Sequence, residues 1–276
     1  MRWIVGDIHG CARPLDRLIE AVTERDRDAV FLFVGDYVNR GPDSSGVVER
    51  LLRLPNARFC RGNHDNIWDL LLNGRCYDVR NDFMHAHAVF AQFLDAGLDR
   101  TLLSYGVEMA AVFNLAVDWS TRGLSELLKC VPPTHRDFFR RLEPVIEHED
   151  LFVAHARWPP DEPDGPGLLV ERLTGSRTLR QEAIWGRFKR IEIDQSKAWR
   201  RRGFFGHTPV SFYHLSRAGD VVPIVGERMV LLDTAIALGI DGRLTAYCAE
   251  TDRFVQVDRG LHVVERASGE ERPPTG

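Results

Sequence analysis

The chain has 276 residues, of which 44% are hydrophobic and 28% charged, with a formal net charge of −4. That is enough chain to bury a large core, and the composition is ordinary for a globular enzyme-sized protein. It excludes a global basic field, so no nucleic-acid partner is expected, and no apolar run approaches the roughly 20 residues that span a bilayer, so no membrane partner is expected either.

Trp3-Ile4-Val5 reads as a strand ending in Gly6-Asp7-Ile8-His9-Gly10. Pro14 to Glu24 follows, with Leu15, Leu18, Ile19 and Val22 at helical spacing and Pro14 in the first turn. The continuous apolar run Ala29 to Val34 predicts a strand covered on both faces, and it ends in Gly35-Asp36-Tyr37-Val38-Asn39-Arg40-Gly41. Asp43-Ser44-Ser45 offers caps to a helix carrying Val47, Val48, Leu51 and Leu52, which stops before Pro55. A third strand, Arg58 to Arg61, leads to Gly62-Asn63-His64-Asp65 and a helix through Leu72. This order implies parallel strands joined by right-handed crossovers.

Residues 73–149 are mainly helical in pattern, with Phe90, Phe93, Leu94 and Leu98 in one segment and Phe138, Phe139 and Leu142 in another. They read as a helical insertion. Leu151-Phe152-Val153-Ala154 is a short buried strand ending at His155. Trp158 to Gly167, rich in proline and glycine, reads as a loop and a candidate lid. Ala183 to Trp199 is expected to be helical and to end in Arg200-Arg201-Arg202, a solvated face or a steering patch for anions. Phe204-Phe205 ends in Gly206-His207-Thr208-Pro209, and Met229 to Leu232, Leu244 to Tyr247 and Phe254 to Val257 read as strands. One domain over 1–264 and a polar, disordered tail over 265–276 are expected. The N-terminus enters a strand at once, leaving no room for a signal peptide, and five irregularly spaced cysteines read as reduced thiols. Both point to a cytoplasmic protein.

Oxygen and imidazole ligands recur where these strands end. Asp7 and His9 lie two apart, so an extended segment sends both to one face. Asp36 follows Asp7 by 29 positions and Asn63 follows Asp36 by 27, each interval being one strand-helix crossover. Such spacing gathers the strand ends along one carboxyl edge, where α/β proteins bind ligands. Asp65 reads as a structural acceptor behind the site, and His85, His87, His135, His148, His214 and His262 as surface or packing residues.

With these motifs in this order, the chain resembles the phosphoprotein phosphatase (PPP) branch of the calcineurin-like metallophosphoesterases over roughly residues 1 to 250. Trp185-Gly186-Arg187, Leu102 to Gly106 and Leu232-Asp233-Thr234-Ala235 resemble further segments of that family. The resemblance implies an α/β fold, a four-layer sandwich of two mixed β-sheets flanked by helices with a helical insertion. It also implies two divalent metal ions, Mn²⁺ first with Fe or Zn²⁺ as alternatives. Carried across, Asp7 and His9 hold one ion, Asp36 bridges, and Asn63, His155 and His207 hold the other. A metal-bridging hydroxide would attack phosphorus in line. Arg40 and Arg187 match the positions that grip phosphate, and His64 matches the general acid.

Asn39 departs from the pattern, because the family usually has an aspartate there to pair with His64. An amide orients the ring without charging it, which predicts a weaker acid and favours good leaving groups. The symmetrical diadenosine tetraphosphatases of bacteria, relatives of this branch, also lack that aspartate and share Gly-Asn-His-Asp. Gly206-His207-Thr208-Pro209 instead looks like the phosphatase-type members. Arg157 stands where a glycine is usual and either contacts phosphate or narrows the groove, and Asp233-Thr234-Ala235 lacks the usual glycine. The leading expectation is hydrolysis of phosphomonoesters, phosphoserine or phosphothreonine in proteins. The alternative is a nucleotide pyrophosphohydrolase of the symmetrical dinucleoside tetraphosphatase type. A non-catalytic phosphate-binding scaffold is third. The expected partner is a phosphoprotein or nucleotide substrate, and the expected state is a monomer or weak oligomer.

Overall fold

The computed structural model describes residues 1–77, 86–195, 199–214, 221–239 and 241–268. β1 (Arg2–Val5), β2 (Val30–Phe33) and β3 (Ala57–Phe59) pair side by side in parallel. They are joined by α1 (Ala12–Thr23) and α2 (Ser44–Leu51). α1 buries Leu15, Leu18, Ala21 and Val22 on one face. α2 starts where Asp43 accepts the Gly46 amide at 2.8 Å. α3 (Asn63–Asn73) starts just beyond β3, with Asp65 reaching back to the Gly62 amide at 2.9 Å.

The insertion contains α4 (Ala86–Phe93), a π-turn over Leu94–Leu98, α5 (Asp99–Ser104), α6 (Met109–Val117), α7 (Thr121–Leu127) and α8 (Pro133–Arg140). α8 packs on α3, and α5 packs on α2. The second sheet then begins with β4 (Ile146–Glu147) and β5 (Leu151–Val153), so residues 146 and 147 belong to it and not to the helical segment. α9 (Leu168–Gly175), α10 (Arg177–Trp185) and α11 (Arg190–Gln195) precede β6 (Arg202–Phe205). β7 (Ile224–Val225) and β8 (Met229–Leu231) complete that sheet in the order β4-β5-β6-β8-β7. β9 (Arg243–Cys248), β10 (Arg253–Asp258) and β11 (Val263–Ala267) return to the first sheet, whose order is β11-β10-β9-β1-β2-β3.

The two sheets lie face to face. Ile4 and Leu32 from one and Val153, Phe204 and Val230 from the other share a single buried cluster. The alternate residues Trp3, Val5, Phe31 and Phe33 turn to the opposite side, into the core under α1 and α2. Phe152, Phe205, Met229 and Leu231 likewise turn outward beneath α9 and α10. Burial on both faces explains the unbroken apolar runs of the parallel strands. The layers are helix, sheet, sheet, helix, as the resemblance implies.

Four local expectations are corrected. The helix expected over 183–199 is two helices, because Gly186 leaves the helical region at φ −66°, ψ 151° and ends α10. Trp158 is fully buried in the second core and Asp164 accepts the Arg201 amide at 2.6 Å, so the proline-rich loop is pinned down at both points and is not a free lid. Arg201 is buried against Glu147 and the backbone of His148, so it neither steers ligands nor faces solvent. Glu265 pairs with Val255 in β11, so the strand continues past the expected start of the tail, and residues 269–276 lie outside those described. Among the described residues no helix is long and apolar enough to cross a membrane.

Candidate metal centre

The ends of β1, β2, β5 and β6 converge, with the start of α3 against them. Asp7, His9, Asp36, Asn63, His64 and His155 are all buried, and half-buried His207 brings a fourth imidazole. His9 (φ 47°), Asp36 (φ 57°), Asn39 (φ 72°), Arg40 (φ 65°) and His207 (φ 68°) all adopt left-handed backbone conformations. Each costs about 1 kcal/mol or more, and the clustering of such residues is a mark of functional sites.

The hydrogen bonds determine which ring nitrogens are bare. His9 Nδ1 lies 2.9 Å from the Val38 carbonyl and His155 Nδ1 3.0 Å from the Val34 carbonyl. A carbonyl only accepts, so both rings donate through Nδ1 and present Nε2 lone pairs. Those Nε2 atoms point to the two oxygens of Asp36, at 3.4 Å from His9 and 3.5 Å from His155. His207 directs Nε2 to the Trp185 carbonyl at 3.1 Å, leaving Nδ1 2.9 Å from Asn63 Oδ1. His155 Nε2 lies 2.9 Å from the same oxygen. Burial holds His155 and His207 neutral, pushing each down to about 3. His155 Nε2, His207 Nδ1 and Asn63 Oδ1 thus crowd together with no proton among them to share.

The carboxylates are equally strained. Burial pushes Asp36 up to about 7, and burial with neighbouring Asp233 and Asp36 raises Asp7 well above its ordinary range. A divalent cation reconciles such a donor set, and carboxylate, amide oxygen and imidazole suit Mn²⁺, Fe or Zn²⁺. Two three-residue groups have ligand atoms within 4.8 Å of one another: His9, Asp36 and His64, and Asp7, Asp36 and His155. Asp36 is common to both. The donor set therefore fits divalent cations, although Asp7 and His9, expected on one ion, fall in different groups and His64 joins the group of His9.

Two glycines make the close approach possible. A methyl group at Gly206 would lie 2.0 Å from Asp7 Oδ1, and one at Gly62 would lie 2.1 Å from Asp36 Oδ1. Gly62 has φ −86°, which suits any residue, so its requirement is purely steric. Gly62→Ala is expected to displace Asp36 and weaken divalent-metal binding by at least about tenfold. Metal titration of the purified protein reads this directly, and wild-type affinity would contradict the placement of Asp36.

Asp65 accepts the amides of Asp36 (2.7 Å), Gly62 (2.9 Å) and Tyr37 (2.9 Å), the structural role expected of it. Asn39 Nδ2 lies 2.8 Å from His64 Nδ1, while Thr101 Oγ1 donates to Asn39 Oδ1 at 2.8 Å. That arrangement makes Asn39 the donor and His64 Nδ1 an acceptor. Burial first, then Arg40, push His64 well below its ordinary range. Arg40 is half-buried, with Nη2 3.4 Å from His64 Nε2. Arg187 is exposed, stacks over Phe212 at 5.3 Å, and lies close enough to His207 to depress it. Arg157 is bound by Glu182 (2.9 Å) and Glu192 (2.5 Å), so it is an anchor for the Gly186 turn and offers no free fork to phosphate.

Four residues at the site were given no role in it from sequence. Asp233 is buried beyond β8, and its Oδ2 has no hydrogen-bond partner among the described residues. A signal for it existed: it ends the apolar run Met229 to Leu232 just as Asp7 and Asp36 end theirs. Thr101, Ser44 and Phe93 carried none. Thr101 and Ser44 bond the Asn39 backbone amide at 2.8 and 3.2 Å, and Phe93 stands edge-on to His64 at 5.3 Å. His135 is a buried packing residue bonded to Tyr105 and Glu49, His87 stacks on Trp119, and His262 pairs with Asp258. His85 lies outside the described residues.

Donors for divalent cations beside arginine side chains, where parallel strands of two sheets end, fit a metallophosphoesterase, an enzyme of the hydrolase class. The family profile of the calcineurin-like phosphoesterases matches residues 2–211, and the chain belongs to that family. A symmetrical bis(5′-nucleosyl)-tetraphosphatase of Legionella pneumophila (strain Lens) is 40% identical over 82 residues, covering 29% of this chain and 30% of that one. Its counterpart in Ralstonia nicotianae is 45% identical over 64 residues, covering 22% of each. The chain thus spans less than a third of the length of these relatives. A cold-active protein tyrosine phosphatase shares the fold, with a TM-score of 0.51 and 15% identity over 96% of this chain and 78% of that one.

Proposed function

We propose that the protein hydrolyses phosphoanhydride bonds of nucleotides, in the class of symmetrical dinucleoside tetraphosphates. Asp7, His9, Asp36, Asn63, His155 and His207 would hold two divalent cations. When bound, these supply Lewis acidity toward phosphate oxygens and lower the pKa of water. Arg40 and Arg187 then grip non-bridging oxygens, Arg40 from a fixed backbone and Arg187 from its stack on Phe212.

The observation that carries the choice of substrate is the bond from Asn39 Nδ2 to His64 Nδ1. A ring whose Nδ1 accepts carries its single proton on Nε2, so Arg40 Nη2 at 3.4 Å is a second donor facing that atom and not its hydrogen-bond partner. Charging it needs a second proton on Nδ1, where the Asn39 amide already donates. The ring is therefore held as a hydrogen-bond donor to the leaving oxygen and is a poor proton source. A nucleoside diphosphate leaves well without full protonation, whereas a serine alkoxide does not. The relatives named as tetraphosphatases support the same reading. The order of the two readings drawn from sequence is thereby reversed, and phosphoserine or phosphothreonine hydrolysis, suggested by Gly206-His207-Thr208-Pro209, becomes the second.

Side-by-side turnover with Mn²⁺ separates them. The protein is expected to cleave diadenosine tetraphosphate in preference to a phosphopeptide. Asn39→Asp places a carboxylate at the same point, with Thr101 still able to donate to it, and favours the charged ring. It is expected to raise ester turnover about tenfold relative to anhydride turnover. Hydrolysis of the phosphopeptide alone by the wild type would sink the nucleotide reading, and equal effects of Asn39→Asp on both substrates would sink the account of His64.

A further inference from the structure

Arg40 belongs to two neighbourhoods. At the metal centre it lies against His64, and it also lines a cavity of about 450 Å³ together with Cys11, Ala12, Arg13, Asp43 and Arg259. That volume falls within the range of small-molecule sites and exceeds what a single phosphate fills.

The lining is largely apolar, and its charged members are Arg13, Arg40, Arg259 and Asp43. Arg13 is exposed and has no hydrogen bond or ion pair among the described residues. Arg259 uses Nε on the Ile236 carbonyl at 2.8 Å, which leaves its terminal nitrogens for a ligand. Asp43, the acid on this wall, is engaged elsewhere: Oδ1 accepts the Gly46 amide at 2.8 Å and Oδ2 faces Arg50 at 3.8 Å. The first turn of α1 forms part of the same wall, and Cys11 at its cap position makes no side-chain bond to it. The positive end of that helix adds to the charges of Arg13 and Arg259, with Arg40 between the cavity and His64.

We propose that this cavity is a second anion subsite, receiving the phosphates of a dinucleoside polyphosphate that are not cleaved, with Arg40 shared between it and the metal centre. The inference rests on the nucleotide reading above and extends it. A phosphomonoester has no group to place there, so the subsite separates a polyphosphate chain from a single phosphate.

The test uses the full chain with Mn²⁺, the variants Arg13→Ala and Arg259→Ala, and their combination. Arg53→Ala, at the exposed end of α2 beside Glu49 and away from the cavity, serves as the control. The measured quantity is kcat/KM for diadenosine tetraphosphate divided by that for p-nitrophenyl phosphate, and ADP affinity by calorimetry stands beside it. Each single variant is expected to lower the ratio about tenfold and to weaken ADP binding in step, with a larger loss in the double variant. An unchanged ratio with unchanged ADP affinity in the double variant would overturn the subsite. Should the wild type cleave p-nitrophenyl phosphate and leave diadenosine tetraphosphate intact, the nucleotide reading fails separately. ADP affinity then judges the cavity alone: loss in the double variant supports it, and wild-type affinity overturns it.

Discussion

Asp36→Asn is expected to lower kcat on every phosphate substrate by about a thousandfold and to abolish the rise in Tm that added divalent metal produces. Asp36 is the one residue common to both groups of close ligand atoms, with one oxygen toward His9 and the other toward His155. Asparagine preserves its shape and still accepts the His64 amide, which bonds Oδ1 at 3.0 Å. What it removes is the negative charge and one acceptor oxygen, the two things a shared ligand must supply. The metal-free protein should respond in the opposite direction. Asp7, Asp36 and Asp233 disfavour one another's charge in a buried setting, so above about pH 7, where Asp36 ionises, removing its charge relieves the metal-free fold. A Tm equal to or higher than that of the wild type is expected, by about 2–4 °C for each kcal/mol of relief. Calorimetry with and without Mn²⁺ reads both signs. A variant that melts lower without metal would mark Asp36 as a structural residue, and one that keeps its metal-induced stabilisation would remove it from the ligand set.

Arg40→Ala is expected to lower kcat/KM for diadenosine tetraphosphate by about a hundredfold or more, and Arg40→Lys should recover only part of that loss. The guanidinium presents a planar fork matched to phosphate, which an ammonium does not. The backbone is committed to this use. Asn39 and Arg40 are consecutive left-handed residues, and the π-turn of the insertion presses on them: a methyl group at Gly97 would lie 2.2 Å from the Arg40 amide nitrogen. Alanine and lysine meet the same backbone cost as arginine, so the two variants differ from it in the side chain alone. Retention of kcat/KM within threefold of the wild type in Arg40→Ala would mean that phosphate is held by other groups.

The parts of the site legible in the chain are those written in local spacing. Asp7, Asp36 and Asn63 end runs whose period and length specify parallel strands, and each crossover returns the next ligand to the same sheet edge. Asn39 stood out against the family pattern, and its bond to His64 follows from that departure. Asp233 carried the same strand-end signature and was read as part of a family segment, but it received no role in the site, since a lone aspartate after an apolar run is common. The helix expected through 183–199 failed at Gly186, where the break turns Arg187 toward Phe212 and brings the Trp185 carbonyl to His207.

In the sequence alone, the motifs carried a resemblance to the family and with it the layered α/β architecture, and the oxygen and imidazole groups at the strand ends were legible because apolar runs and helical spacing are properties of neighbouring positions. Tertiary structure decided how residues far apart in the chain act on one another. Thr101 orients Asn39 from 62 positions away, Phe93 borders His64, Gly97 buttresses Arg40, and Arg259 meets Arg13 across a cavity. The helical insertion, whose place relative to the site the sequence left open, forms a wall of it. Its helices are amphipathic whichever way they dock, and only packing against α2 and α3 selects which of their side chains reach the metal centre.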